Sequence, residues 1–163
     1  MRTINRERVL AEAGHVVLLM GGTSPEREIS LLSGQAVASS LSSLGIHTTV
    51  IDVGENIVDE LRSAAPDLVV NMLHGQGGED GVIQGYLDLL QIPYTGSGVL
   101  ASALAMDKQN SKAAYRAEGL PVVESLLADR AEISQHHLLD PPYVIKPNNE
   151  GSSCGIYFVH EKA

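Results

Sequence analysis

Two lysines in this chain are placed where a lysine can meet an anion. Lys146 follows a short apolar run and is itself followed by a loop rich in glycine and serine, residues 147–155. Glycine and serine let backbone N–H groups approach an anion closely, and Lys146 would reach the same anion as a point charge. Lys108 stands early in a predicted helix, where the dipole disfavours a cation unless an anionic ligand lies nearby. Both positions are compatible with anion binding, although a surface hairpin and a solvated lysine explain each segment taken alone.

An acid and a histidine lie in two other glycine-rich loops, residues 21–28 and 74–81. Glu26 stands at the start of a predicted helix, where the dipole favours a carboxylate by ~0.3–1 kcal/mol. That structural role explains it, and binding a ligand cation such as a substrate ammonium is the functional alternative. His74 is open to three roles, as a general base, as a donor to an anion, or as a loop histidine that bonds the backbone. Ligands of open α/β sheets bind beyond the carboxyl ends of the strands, where both loops are expected.

Other kinds of site find no support in the motifs. Neither loop reads GxGxxG, and the 147–155 loop does not read GxxxxGK[ST], which argues against a dinucleotide fingerprint and a Walker A loop. Ser152 and Ser153 lack the GxSxG elbow of a serine hydrolase. Because no His, Asp or Glu cluster has the spacing of metal ligands, we predict no metal-binding residue in this chain.

The composition limits the compartment and the partners. A net charge of −9 argues against nucleic acid as the main partner, because phosphate binding needs a basic face. Cys154 is the only cysteine and cannot form an internal disulfide, which favours a reducing compartment. The first apolar run, residues 16–20, is too short for a signal peptide or a membrane span. We therefore expect a cytoplasmic protein with neither a nucleic acid nor a membrane as partner.

The loops are positioned by alternating strands and helices. The apolar run at 16–20 predicts a strand buried on both faces, followed by a glycine-rich turn and a helix with Ser24 as its N-cap and Pro25 at its first position. The alternation continues with predicted strands at 47–51 and 68–73 and predicted helices at 57–64 and 82–90. This order predicts an α/β fold with a doubly wound, mostly parallel sheet.

The pattern changes after residue 98. Helices are predicted at 99–105 and from 106 to about 118, and strands at 122–127 and 143–145, the latter opening a hairpin. We divide the chain into an N-terminal extension, residues 1–15, a first domain, residues 16–104, and an incomplete second domain, residues 105–163.

Four segments, in this order, resemble the D-alanine–D-alanine ligase family of ATP-grasp enzymes. They are GGTSPEREISLLSG (21–34), LHGQGGEDGVIQGYLDLLQIPYTGSGVLASALAMDK (73–108), GLPV (119–122) and YVIKPNNEGSSCGI (143–156). Each segment is weak alone, whereas the ordered set is specific and covers most of the chain from Val16 onward. The resemblance implies a Rossmann-like, pre-ATP-grasp domain that binds substrate, followed by the first part of an ATP-grasp domain.

The family's activity is the expectation that follows. Its members use ATP and Mg²⁺ to join two D-alanines through an acylphosphate, for peptidoglycan synthesis and hence for the cell wall and cell shape. The resemblance also implies a cytoplasmic homodimer. The family's magnesium ligands belong to its C-terminal half, so we expect this truncated chain to be inactive alone.

The resemblance further implies roles for the substrate-binding residues. Glu26 would bind the ammonium of the first D-alanine and act in catalysis. Ser152, also expected to be catalytic, would link Glu26 to a lid loop and so help to bind substrate. His74 would lie near the substrates.

A second set of residues would bind ATP by the same resemblance. Two lysines would contact the phosphates, and a glycine/serine loop would cover them. The set consists of Lys108, Lys146, Ser153 and Gly155.

Two alternatives remain open at this point. The chain could be a non-catalytic module that binds a small molecule or dimerises, or it could be part of a D-alanine–D-lactate ligase. D-alanine-dependent ADP release would separate an enzyme from a module, and the second substrate would separate the two ligases.

Overall fold

The computed structural model describes residues 6–151 and 154–161. The chain forms two units, one up to Ala103 and the other from Leu104 onward. That these two units correspond to the predicted domains, residues 16–104 and 105–163, stays a prediction. The candidate residues Ser152 and Ser153 lie outside the described residues.

Strands and helices alternate through the first unit. The elements are α1 (Arg6–Glu12), β1 (Val16–Gly21), α2 (Arg27–Ser43), β2 (Thr48–Val53), α3 (Ile57–Ala64), β3 (Leu68–Asn71), α4 (Val82–Leu89) and α5 (Val99–Met106), the last of which contains the point of division. Within the described ranges, no helix has the length and apolar character needed to cross a membrane.

The three strands form one parallel sheet in the order β2-β1-β3. Val16 of β1 is aligned with Thr48 of β2 and with Leu68 of β3. The chain returns to the sheet beyond α4, where Tyr94 forms a parallel bridge with Val69. The central strand β1 is nearly continuously buried, as expected for a strand covered on both faces.

Helices cover both faces of this sheet. On one face, Val17 and Leu19 of β1 belong to a buried cluster with Leu61 of α3 and Leu87 of α4. On the other face, α2 lies close to β1, since a Cβ at Gly34 would come within 2.6 Å of the Met20 Cβ. The predicted α/β fold with a doubly wound parallel sheet is confirmed.

The start of α2 differs from the sequence prediction. The helix begins at Arg27, and Glu26 rather than Ser24 is its N-cap. The Ser24 hydroxyl accepts a hydrogen bond from Glu26 N at 3.1 Å, and Arg27 N donates to Ser24 O at 3.1 Å. These bonds close a turn ahead of the helix, so the predicted cap acts on that turn instead.

The second unit contains shorter elements. They are α6 (Lys108–Ala117), α7 (Arg130–Ile133) and an antiparallel hairpin of β4 (Tyr143–Ile145) and β5 (Tyr157–Val159). Asp107 is the N-cap of α6, with its Oδ1 accepting a hydrogen bond from Asn110 N at 2.8 Å. The predicted hairpin is present.

The strand predicted at 122–127 is wrong. This segment belongs to no strand or helix and pairs with no other segment in the part of the chain that the structure describes. Val123 is 81% exposed and Leu127 is 65% exposed. Apolar, β-branched composition favours a strand but cannot supply the neighbouring backbone that a strand must bond.

Candidate functional site

Two loops meet beyond the carboxyl ends of β1 and β3. One carries Ser24 and Glu26, and the other carries His74 and Gly75. The Ser24 hydroxyl joins them, because it donates to the His74 carbonyl oxygen at 2.7 Å and accepts from Glu26 N at 3.1 Å. The structure therefore brings together two of the sequence-predicted site residues, Glu26 and His74.

Glu26 is the buried acid of this cluster. Its side chain is on a residue only 4% exposed, and its Oε2 finds no hydrogen-bond partner among the described residues. A buried carboxylate oxygen without a donor is costly, and a bound cation with N–H donors would relieve that cost. This environment suits a ligand ammonium better than the simple helix-entry role that the sequence allowed.

The backbone of Gly75 closes one side of the Glu26 carboxylate. Gly75 has φ +71°, and a Cβ there would lie 2.6 Å from Glu26 Oε2 and 3.2 Å from the Ser24 hydroxyl. Only glycine fits both this conformation and this approach. The small residue after His74 is therefore part of the site's shape.

His74 contacts the first turns of α2. Its ring Nε2 lies 3.1 Å from the Ser33 hydroxyl, and the donor is decided by the imidazole tautomer. The ring thus bonds a side chain rather than the backbone. Since Ser33 follows Glu26 by seven positions, the same helix bears the acid and orients the histidine.

Ser30 is a structural member of the cluster that the sequence reasoning missed. It is fully buried, its hydroxyl donates to the Met72 carbonyl oxygen at 2.6 Å and it accepts from Gly21 N at 2.9 Å. The signal was available in its place on the sheet-facing stripe of α2, where an apolar residue is expected. A serine at such a position indicates nearby backbone groups that need a partner.

An ion pair holds the glycine-rich turn after β1. Both guanidinium nitrogens Nη1 and Nη2 of Arg27 donate to the Asp52 carboxylate at 2.6 Å, and Nη1 also donates to Gly22 O at 3.1 Å. Bonding to Arg27 lowers the pKa of Asp52, and the same pair raises the pKa of Arg27. Arg27 thereby joins the glycine-rich turn at Gly22 to Asp52 near the end of β2.

Two concavities adjoin these loops. The first, of about 270 Å³, is mostly apolar and lies between the loops and helices α3 and α4, next to Val53, Ile57 and Ile83. The second, of about 380 Å³, opens between Ser24, Gln76 and Asp80. Both volumes are at or below the lower end of the range usual for small-molecule sites, about 300–1,000 Å³.

In the second unit, Lys108 is bound by the loop that follows β4. Its ammonium donates to Asn148 O at 3.3 Å and to Glu150 O, and its backbone N donates to Asn148 O at 3.1 Å. Two of the three ammonium donors are thus used by backbone carbonyl oxygens, and one is left for another acceptor. These bonds attach the start of α6 to the loop that follows β4.

Lys146 and Gly155 lie on the same hairpin. Lys146 directly follows β4 and is exposed. Gly155 has φ +65°, and a Cβ there would lie 2.8 Å from Pro147 Cγ, so glycine is required for this turn. Asp107 precedes Lys108, and hydrogen bonds, first from Asn110 N and then from Asn148, lower its pKa.

The described part of the chain contains no cluster of metal ligands. Among residues 6–151 and 154–161, no group of three or more His, Cys, Asp or Glu side chains could hold a metal ion. The first-unit cluster therefore rests on one buried acid rather than on a set of ligands.

Comparison with known proteins agrees with these motifs. Residues 54–97 match a family model described as D-ala D-ala ligase N-terminus. A D-alanine–D-alanine ligase of Ruegeria pomeroyi is 59% identical over 148 residues, which cover 91% of this chain and 48% of that protein. This chain thus spans about half the length of the curated relatives it matches.

Solved structures give the same result. A Bacillus anthracis D-alanine–D-alanine ligase superposes with a TM-score of 0.74 at 34% identity, covering 92% of this chain and 50% of that chain. A structure of the same kind complexed with ATP superposes with a TM-score of 0.68 at 32% identity, covering 92% of this chain and 51% of that chain. The predicted resemblance to the N-terminal half of these ligases is confirmed.

Proposed function

We propose that this chain, which is similar over about nine-tenths of its length to the N-terminal half of D-alanine–D-alanine ligases, contributes the first-substrate and part of the ATP site of such an enzyme. The reaction would join two D-alanines through an acylphosphate, with ATP as the phosphoryl donor, and supply D-alanyl-D-alanine for peptidoglycan. The observation that carries the proposal is the buried Glu26 carboxylate, whose Oε2 has no partner among residues 6–151 and 154–161.

The first-unit cluster would bind the ammonium of the first D-alanine. Glu26 offers a carboxylate shielded from water, in which a charge-assisted hydrogen bond is strong. Gly75 has no side chain that would crowd the Glu26 carboxylate, and His74 precedes Gly75 on the same loop. Holding the ammonium would orient the substrate carboxylate for phosphorylation, which is the main contribution a protein makes to phosphoryl transfer.

The second-unit hairpin would bind the ATP phosphates. Lys108 and Lys146 would act as point charges on phosphate oxygens, and the turn at Gly155 would bring backbone N–H groups close. Ser153 would belong to the same cover, and Ser152 would link Glu26 to a lid loop. ATP, when bound, supplies the phosphoryl group that activates the substrate carboxylate.

Three further features belong to the proposal. Mg²⁺ would neutralise the phosphate charge and would be held by ligands in the half of the enzyme that this chain does not span. Dependence on ATP favours a cytoplasmic location. By resemblance to the family, the enzyme would be a homodimer.

Replacement of Glu26 tests the assignment. In the enzyme that carries this chain, Glu26→Gln should weaken D-alanine binding by roughly 10- to 100-fold, because a charged hydrogen-bond acceptor is lost, and should leave ATP binding nearly unchanged. Isothermal titration calorimetry with each ligand measures both. Glu28→Gln is the matched control, since Glu28 is an exposed acid in the first turn of the same helix. Equal losses of D-alanine and ATP affinity in Glu26→Gln would overturn the role.

A binding module without catalysis is the second candidate. It is favoured by one observation, namely that Glu26, His74 and Gly75 all belong to the first unit. The module would be supported if the 163-residue chain binds D-alanine while neither this chain nor a longer protein that contains it releases ADP in response to D-alanine. That result would contradict the ligase.

A further inference from the structure

A buried glutamine supports the loop that carries His74. Gln84, in α4, is 4% exposed, and its Nε2 donates to the Gly78 carbonyl oxygen at 2.7 Å. Its Oε1 is buried and finds no partner within the described ranges. Burying an amide at the cost of one unsatisfied oxygen indicates that the bond made by the other end is important to the structure.

A second amide converges on the same carbonyl. Asn71 Nδ2, at the end of β3, donates to Gly78 O at 2.9 Å, and Asn71 Oδ1 accepts from Leu73 N at 3.1 Å. Both lone pairs of Gly78 O are therefore used by side chains of the scaffold, one from a strand and one from a helix.

Other bonds join His74 to Ser24 and Ser33 and Asp80 to Val82, and the remainder are internal to the loop. Gly75 N donates to Glu79 Oε2 at 2.8 Å, Glu79 N donates to Gly75 O at 2.9 Å, and Gly77 N donates to Asp80 Oδ2 at 2.8 Å. The internal bonds give the loop its shape but do not attach it to the sheet. The bonds at Gly78 O attach its second half to β3 and α4, whereas Ser24 and Ser33 hold only its His74 end.

We propose that Gln84 and Asn71 are positioning residues that hold residues 74–80 against Glu26, so that the ammonium pocket is formed before the substrate binds. The pair acts through the loop and touches no reacting group. The functional part of this inference rests on the proposed function, whereas the bracing of the loop does not.

The bracing predicts a specific energetic coupling. Removing one amide leaves Gly78 O with the other, while removing both leaves a buried carbonyl without a donor, which is the costly case. Replacing both residues should therefore loosen the loop by more than the effects of the two single replacements combined.

Amide hydrogen exchange of the chain described here tests the brace. Gln84→Met and Asn71→Ala should each speed exchange of the amides of residues 75–80 by about 3- to 10-fold. In the double variant, the acceleration of exchange should exceed the product of the two single accelerations. The exchange rates of the Val17 and Leu19 amides in β1 should be unchanged. Gln35→Met, at an exposed position of α2, is the matched control. If Gln84→Met does not fold, Gln84→Glu replaces the donor with an oxygen at nearly the same shape and is expected to show the same pattern.

D-alanine titration of the same variants, followed by NMR, gives the second readout. Gln84→Met should weaken D-alanine binding by about 3- to 10-fold and leave ATP affinity unchanged, which a general loss of stability would not do. If the wild type does not bind D-alanine, the proposed function fails while the exchange data still decide the brace. Unchanged exchange in residues 75–80, or equal acceleration in β1, would overturn the inference.

Discussion

Gly75 shows how one missing methyl group shapes the proposed ammonium pocket. An alanine there would need φ near +71° and would place its Cβ 2.6 Å from Glu26 Oε2. We expect Gly75→Ala to lower the free energy of unfolding by about 2–4 kcal/mol and to weaken D-alanine binding, because conformational strain and a steric clash add. Urea denaturation measures the first effect and calorimetry the second.

Gly45→Ala separates the two causes. Gly45 has a similar φ of +78°, and a Cβ there would meet nothing within 4 Å among the described residues. It should cost only the strain, about 1–2 kcal/mol. Equal losses in the two variants would mean that the approach of Glu26 to Gly75 contributes nothing.

The Arg27–Asp52 pair makes stability depend on pH. Because the folded pKa of Asp52 is lowered below its ordinary value of 3.8, its contribution is fully present above that value and is lost as pH falls through the lower folded pKa. Arg27→Gln should raise the pKa of Asp52 toward 3.8. Carboxyl NMR titration measures this directly, with Arg62→Gln, an exposed arginine of α3, as control.

The unfolding free energies should follow the same dependence. Wild type should be more stable than Arg27→Gln at about pH 6, and the difference should disappear below the folded pKa of Asp52. A difference that stays constant down to about pH 2 would show that Arg27 stabilises the turn through Gly22 O alone.

At the scale of elements, two helical glycines predict opposite effects. Gly34 of α2 faces β1, and a Cβ at Gly34 would lie 2.6 Å from Met20 Cβ. A Cβ at Gly85 of α4 would be less crowded, because its nearest neighbour, Val99 Cγ2, lies at 3.7 Å. Gly34→Ala should destabilise the protein by about 1–3 kcal/mol, and Gly85→Ala should stabilise it by about 0.5–1 kcal/mol. Urea denaturation of the pair checks both signs.

The two variants control for each other, since both replace glycine by alanine within a helix. A stabilising Gly34→Ala would mean that α2 can move away from β1 without cost. The turn that bears Glu26 would then be less firmly attached to the sheet than its contacts indicate.

At the scale of the whole molecule, exposed apolar side chains of the second unit predict self-association. Val123 is 81% exposed, Leu127 is 65% exposed and Phe158 is 68% exposed. Apolar surface of this kind is usually covered by a partner or by more of the same chain. Sedimentation velocity of the 163-residue chain should show mass rising with concentration, and Val123→Thr with Leu127→Gln should reduce it. A monomer at high concentration would contradict this prediction.

Much of the architecture could be predicted because it is local. Apolar runs and their periodicity identified β1 and the helices α2 to α4, and the ordered motifs identified the resemblance that the comparisons confirmed. The segment 122–127 was mispredicted because its composition favours a strand while strand pairing depends on distant residues. Ser24 was mispredicted as a cap because a turn and a helix start use the same side-chain chemistry.

Residue types, spacing and order determined by themselves that this protein is α/β, that Glu26 and His74 lie in loops after strands, and that the chain resembles the N-terminal half of a ligase. Only the tertiary structure decided that Glu26 is buried with one oxygen unpartnered among the described residues, that Ser30 joins Gly21 to Met72, and that Gln84 and Asn71 share one carbonyl. The physical reason is that burial and hydrogen-bond satisfaction depend on groups far apart in the chain, whose distances are set when helices pack on the sheet.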